Sequence, residues 1–491
     1  MTLILFCVLA AIASAWNPTN GSINGYYNLT EVNNLLEEWT KIHNGTETFT
    51  IGKSLRGKEI KAFRLNLGKG PAVLVIGCHH ARELISTTQV LSILNYILQE
   101  ESEEIDYIRK NREIIFIPVL NVDGLQKISE HYDKTHTIID IRKNQRPTET
   151  CPGDDHGVDL NRNYEYMWGF DNEGSSNNSC GEDYRGSSPF SEPETKAIRD
   201  LLLNKSFSVA VSYHSWGDLY VHPWCYRNSF NPSDLRPEDW SLYNSVKTIL
   251  PSTAQMGNPN QLLNYAVNGC FIDFAYSLGI FSMAVELGPE NDFHPPIGKV
   301  KGILENHLAP FMYLLKHSGP VMNLWLQNLT IHGSVVEFYL EIYNQGMQDA
   351  TNQTLTFELS HEYSIHHFFP YNTFAHNKNG RLTNIHLPAI SKRSKQAIMF
   401  KISLDESADE FLYSFYFQPH SPLNAQLSNT IQYKIVRGST AVLLWIVILI
   451  IALIGVAVVV VFRFTKKRIT PIKFVELDKF NKANSQGTPT I

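Results

Sequence analysis

"VLVIGCHHARELIS", residues 73–86, decides how this chain reads. Its first half is an unbroken apolar run, the pattern of a parallel strand covered on both faces. The run stops at His79 and His80, and Glu83 follows the second histidine at a spacing of three. Groups this costly to bury do not end a buried strand without partners. Imidazole and carboxylate are ordinary zinc ligands, and catalytic zinc sites take three protein ligands and keep one position open. His80-x-x-Glu83 is the only His-x-x-Glu in the chain, so it supplies two of the three, and the third must come from elsewhere.

Working outward, "FSVAVSYHSWGD" repeats the event: an apolar strand ends on His214. "GIFSMAVELGP" places Glu286 at the end of another apolar run. Runs at 71–78, 113–121, 207–213 and 279–287 read as buried strands of a largely parallel sheet, and "LTEVNNLLEEWTKIH" reads as an amphipathic helix between them and the N-terminus. "SEPE", from Ser191, reads as a capping box that opens a helix through Leu203. The fold class is α/β, a mixed, largely parallel sheet flanked by helices, and in open α/β sheets ligand groups collect at the carboxyl ends of strands. Rival ligands exist in His79 and in the pair His156 and Asp159, which lack the strand-end setting with a glutamate. A zinc hydrolase also needs a base, an oxyanion stabiliser and a substrate anchor. Glu286, Arg142 in "IRKNQRP" and Arg162 in "GVDLNRNY" are the candidates, although an arginine taken singly is more often a solvated or ion-paired surface group.

Taken together, these segments are recognisable. The chain from about Tyr26 to Lys316 resembles the zinc metallocarboxypeptidases, closest to the digestive A/B type. "HARE" looks like that type's zinc motif, and "RKNQR", "GVDLNRNY", "YRGSSPFSEPETKAI", "YHS", "NYAVNGCFIDFAY" and "MAVELG" follow in the family's order. The resemblance implies one zinc ion per chain, held by His80, Glu83 and His214. It implies Glu286 as the general base and Arg142 as the cation that polarises the scissile carbonyl. Asn161, Arg162 and Tyr265 match the groups that hold the substrate's terminal carboxylate, and Arg82 matches a secondary guide for the peptide. Ile272, one residue before the aspartate of "FIDFAY", matches the base of the pocket for the departing side chain. An apolar residue there implies a preference for hydrophobic C-termini. The likeness also implies a Cys151–Cys180 disulfide, and a second bridge between Cys225 and Cys270 near the pocket is expected, with Cys78 left buried and free.

The remaining sequence sets the context. At 491 residues the chain exceeds one ordinary core. A net charge of −6 with 18% charged residues excludes a basic nucleic-acid footprint. Residues 1–15 have the apolar run and Ala13-Ser14-Ala15 ending of a signal peptide. Cleavage there leaves little chain before Tyr26, so no folded activation segment is expected. Residues 16–317 are assigned to the catalytic domain. After "HSGP" the texture becomes alternating, with Phe338, Leu340 and Ile342 set against Tyr339, Glu341 and Tyr343, which predicts a small β-sandwich over 321–436. Residues 440–462 form an uncharged apolar stretch of 23 residues, long enough to span hydrocarbon, and Arg463, Lys466, Lys467 and Arg468 follow. The expectation is a single-pass type I membrane protein, with the catalytic domain extracellular or luminal and a cytosolic tail at 463–491. Seven N-x-S/T triplets, headed by Asn20, Asn28, Asn44, Asn177, Asn204, Asn328 and Asn352, precede the stretch and none follows it, which suits a glycoprotein. Five cysteines outside the leader, with no C-x-x-C, fit an oxidising compartment. The expected partners are peptide or protein C-termini and the membrane. Two other functions fit the same residues: hydrolysis of peptidoglycan-type peptides on the same zinc site, and a catalytically dead cell-surface binding protein.

Overall fold

The structure is a computed structural model that describes residues 16–68, 72–148, 151, 156–332, 335–351, 353–359, 363–369, 382–387, 389–404, 410–418, 427–428, 431–436 and 475–476. The chain divides after Gly319 into two units.

The first unit opens with α1 (Leu29–Ile42), whose N-terminus is closed by a reciprocal Asn28–Glu31 capping box. The hairpin β1 (Thr46–Lys53) and β2 (Glu59–Leu65) leads into β3 (Ala72–Ile76), α2 (Leu84–Gln99), α3 (Glu103–Asn111), β4 (Glu113–Ile117) and α4 (Val122–Thr135). A long irregular passage carries the two arginine motifs before α5 (Pro193–Asn204), β5 (Phe207–His214) and β6 (Leu219–Val221). The unit closes with α6 (Pro237–Lys247), β7 (Gln255–Gly257), α7 (Pro259–Leu263), α8 (Phe271–Ser277), β8 (Phe281–Glu286), α9 (Ile297–Asn306) and α10 (Leu308–His317). The sheet order is β1-β2-β4-β3-β5-β8-β6-β7. Its centre, β4-β3-β5-β8, is parallel, and β3, β4 and β5 are buried along their whole length. Each of the four apolar runs is therefore a central strand, because only a strand with both faces covered tolerates an unbroken run.

From β3 the chain moves to β4 on one side and returns to β5 on the other, so the order reverses at the β3/β5 boundary. The carboxyl ends of β3 and β5 frame the crevice such a reversal creates. At the end of β3, Gly77 passes so close to its neighbours that a Cβ there would lie 2.8 Å from the Pro118 carbonyl oxygen and 2.9 Å from that of Ser86. Absence of a side chain is what lets the histidine loop fold back over the sheet.

The capping box expected at Ser191 does not form. Helix α5 begins at Pro193 with Glu192 at its cap and no side-chain cap bond. The Ser191 hydroxyl donates to Glu192 instead, and Glu192 is taken up by Asn144 and Arg146. These charge-assisted tertiary bonds outcompete a neutral local cap.

The second unit contains two five-stranded sheets. One has the order β12 (Tyr363–Phe369), β14 (Lys395–Leu404), β10 (Val335–Asn344), β9 (Val321–His332), β16 (Leu427–Ser428). The other runs β13 (Leu382–Leu387), β11 (Gln353–Leu359), β15 (Glu410–Gln418), β17 (Ile431–Val436), β18 (Val475–Glu476). Phe338, Leu340 and Ile342 are buried as their alternation requires. Phe338 of the first sheet meets Phe357 and Tyr413 of the second edge-on, with centroids 5.5 and 4.7 Å away.

The leader at 1–15 and the apolar stretch at 440–462 lie outside the described residues, as does the tail at 463–491 except for 475–476. Among the described residues no helix is long and apolar enough to cross a membrane.

Candidate active site

The site is built on three strand ends. His214 and Glu286 are the last residues of β5 and β8 and are register partners in the parallel pair, so their side chains emerge together. His80 and Glu83 sit on the exit loop of β3. That loop is pinned to the first arginine segment by two backbone bonds, Ala81 N–H to the Arg142 carbonyl (3.2 Å) and Arg82 N–H to that of Ile141 (2.7 Å). The second arginine segment is tied to the first through Asn144, whose side-chain oxygen accepts the Val158 N–H at 2.9 Å. These loop-to-loop bonds carry Arg142, Asp159, Asn161 and Arg162 to the histidines.

Donor atoms of His80, Glu83 and His214 all lie within 4.8 Å of one another, and all three residues are buried. His80 Nδ1 is 2.7 Å from one Glu83 oxygen, His214 Nδ1 is 3.0 Å from the other, and the two Nδ1 atoms are 3.3 Å apart. Both Nε2 atoms are engaged behind the rings, that of His80 with Asp159 (3.0 Å) and that of His214 with the Ser212 hydroxyl (2.9 Å). Outer partners that fix each ring and leave Nδ1 facing inward are the pattern of a metal-binding histidine pair. Two facing imidazole nitrogens and a carboxylate fit a divalent cation of borderline softness, so the donor set fits zinc.

The electrostatics agree. Burial alone would raise the Glu83 carboxyl, but the neighbouring His80 and His214 outweigh it and hold it well below the usual range. Burial also raises Glu286, and there the charge of Glu83 adds to the effect, so it stands well above an ordinary carboxyl. A cation among the three donors relieves that crowding. Arg142 gives Nε and Nη2 to Asp159 at 3.0 and 2.7 Å, while its Nη1 faces His80 at 3.3 Å and Glu83 at 3.7 Å. Burial opposes its charge, and Asp159 and then Glu83 reverse that, keeping it charged.

All ten sequence-derived site residues line one cavity of about 220 Å³. Arg162 is buried; its Nη1 donates to the Asn161 carbonyl, and its Nε has no hydrogen-bond partner among the described residues. Asn161 holds the start of α8 through the Phe271 N–H (2.9 Å). Tyr265 is half-exposed at the rim. Arg82 stacks over Phe293 at 4.1 Å and pairs with Asp140 and Glu182. Ile272 is buried in the wall beside Val221, Val267 and Ala284.

Of the rival ligands, Asp159 binds the far nitrogen of His80, and His79 turns to Ser212 and Tyr164. His156 is not among the converging groups. The supporting roles of Asp159 and Ser212 were not assigned from sequence. Their only signal is position, two residues before Asn161 and two before His214 on the same strand face. The Cys151–Cys180 disulfide is present and Cys78 is buried and free. The expected Cys225–Cys270 bridge is not formed: both are free thiols.

A family profile described as zinc carboxypeptidase matches residues 32–309. A zinc carboxypeptidase of Simulium vittatum is 28% identical over 307 residues, covering 60% of this chain and 96% of the relative. A carboxypeptidase B of Astacus astacus is 33% identical over 205 residues, covering 40% of this chain and 61% of the relative. Among solved structures, that of thrombin activatable fibrinolysis inhibitor aligns with a TM-score of 0.52 at 25% identity, over 62% of this chain and 77% of that one.

Proposed function

The chain belongs to the zinc carboxypeptidase family, and from that premise we propose a membrane-anchored exopeptidase that removes large aliphatic or aromatic residues from peptide C-termini. The observation that carries the substrate reading is the cavity lining. Its acidic side chains are Glu83 and Glu286, both beside the histidines, while Ile272, Val221, Val267 and Ala284 offer apolar surface. Burying a terminal Leu or Phe side chain there is worth roughly 1.5–3 kcal/mol. A terminal Lys or Arg finds no acidic side chain lining that wall, since Asp273 behind it is buried and holds the Cys225 and Tyr226 N–H groups, and burying its charge costs several kcal/mol.

The terminal carboxylate is received by Arg162, whose unpartnered Nε is a donor held ready, with Asn161 and Tyr265 beside it. Zinc, when bound by His80, Glu83 and His214, supplies Lewis-acid polarisation and lowers the pKa of water toward about 7. Glu286 takes the proton as the water oxygen attacks the scissile carbonyl carbon, and passes it to the amine nitrogen as the C–N bond breaks. Arg142 Nη1, held by the Asp159 clamp, donates to the oxygen on which charge develops, a contribution usually worth on the order of 10²–10³ in rate.

Peptides ending in Phe, Leu, Lys and Arg, compared side by side, test the reading. Phe and Leu should be released at least tenfold faster in kcat/KM, which needs only about 1.4 kcal/mol. Peptides with amidated C-termini should resist. Faster release of Lys or Arg removes the Ile272 assignment.

The anchoring half rests on the 440–462 stretch and the basic residues behind it. A chain that crosses a bilayer there keeps 475–476 about 30 Å from any strand on the other side, so the anchored form lacks the two-residue pairing of β18 with β17. Retention in the membrane pellet after an alkaline carbonate wash, and release on truncation after residue 437, are expected. A protein washed free at full length is not anchored.

A further inference from the structure

Outside the His80–Glu83–His214 centre, the described residues hold one more convergence of metal-type donors, Cys225, Cys270 and Asp273, whose ligand atoms lie within 4.8 Å of one another. Local structure explains the meeting. Cys270 is the cap residue of α8, Asp273 is in that helix's first turn, and Cys225 lies on the loop after β6. Asp273 clamps the loop onto the helix: its two oxygens accept the Cys225 N–H at 2.8 and 2.9 Å, and one also accepts that of Tyr226 at 3.2 Å. The clamp sets both thiols beside the carboxylate. Cys225 and Cys270 line the substrate cavity next to Ile272, while Asp273 is buried behind them.

Two thiols in an otherwise apolar wall add little that valine or alanine would not provide in packing. What they add is affinity for a soft cation. Thiolate–zinc bonds of about 2.3 Å and carboxylate bonds of about 2.0–2.2 Å place the donors of a tetrahedral site roughly 3.5 Å apart. The three donors already stand within 4.8 Å of one another, and the two thiols face the cavity, which supplies a fourth position. We propose that Cys225, Cys270 and Asp273 form a second site for a thiophilic divalent cation, in the wall of the cavity that receives the departing side chain. Binding releases the two thiol protons to solvent. The site stands on the cluster itself; only its effect on substrate choice rests on the pocket reading above.

Cadmium titration of the full-length protein carrying one equivalent of zinc tests it. A second equivalent should be retained after desalting, with the ultraviolet charge-transfer absorbance of a cadmium–thiolate bond. Cys225→Ser and Cys270→Ser should each lose that absorbance and weaken the second equivalent by at least about tenfold. Retention of the first zinc equivalent shows that each variant is folded. No absorbance in the unsubstituted protein, or undiminished second binding in both variants, overturns the site. So does a Cys225–Cys270 disulfide in the purified protein under non-reducing mass analysis, since no thiol then remains. Cadmium should also slow release of a terminal Phe more than a terminal Ala. Equal slowing alongside the thiolate absorbance keeps the cation site and removes the pocket reading.

Discussion

Glu286 is a carboxyl that burial and the Glu83 charge would push toward neutrality, placed at a strand end opposite His214. Glu286→Gln keeps the size and the hydrogen-bonding reach but cannot accept the water's proton. Hydrolysis should collapse while zinc content, measured by elemental analysis, stays near one per chain. Retained turnover would make Glu286 a structural group. His80, His214 and Glu286 were legible in sequence as candidate site residues because each closes an apolar run, with Glu83 three residues past the first, where an ionisable group has no cheap alternative. The arginines were not legible in that way. Arg142 and Arg162 sit in polar segments that read as surface, and it is the Asp159 carboxylate, reached only in the folded chain, that makes their burial tolerable.

At the scale of the element, the site depends on how loops and helix starts are fixed against one another. Gly269 precedes α8 with φ +64°, and a Cβ there would lie 2.5 Å from the Arg162 carbonyl oxygen and 3.0 Å from that of Tyr164. Gly269→Ala is therefore expected to destabilise the protein by roughly 2 kcal/mol and to raise KM more than it lowers kcat, because Arg162 must shift. Steady-state kinetics with one peptide substrate separate the two, and an unchanged KM would count against the carboxylate-anchor role. Helix α5 carries a different liability. Glu194 in its first turn is buried with one oxygen unpartnered among the described residues, and burial, helped by Glu192, pushes its carboxyl up to about 7. A folded-state value raised above the ordinary 4.5 means that its contribution to stability is complete below about pH 4.5 and is lost as pH rises through 7. That interval corresponds to roughly 3 kcal/mol. Glu194→Gln should flatten the loss, so urea denaturation at pH 5 and pH 8 should differ less in the variant than in the parent. An equal difference in both would show that Glu194 ionises freely.

The whole molecule consists of two units, and the His80–Glu83–His214 centre lies in the first. A cation that binds the folded state alone stabilises it by about 4 kcal/mol at a thousandfold excess over its Kd. Calorimetry should therefore resolve two transitions, and chelation should lower only one of them, with recovery when zinc is restored. A chelator that moves both transitions, or neither, would contradict this assignment. The buried aromatic contacts of Phe338 with Phe357 and Tyr413 give the second unit its own core, so its transition should stand without metal.

Chain-local pattern was enough to locate the central strands and the points where they end, because a doubly covered strand must be apolar throughout and stop where polarity begins. It determined the alternation of β10 for the complementary reason, that side chains on one strand face alternate with those on the other. Which polar groups meet was settled by the folded arrangement of the loops. Ser191 was expected to cap a helix and instead serves Glu192, since Asn144 and Arg146 arrive from another segment with stronger bonds to offer. Asp159 could have been a ligand, and it became the brace behind one because the loop holding it approaches His80 from the far side of the ring. Cys225 and Cys270, expected as a bridge, come together as free thiols, set side by side where Asp273 fixes the loop backbone against the helix. Periodicity and apolar runs are properties of neighbours in the chain; hydrogen-bond partners across the crevice are chosen by which loops the sheet order brings face to face.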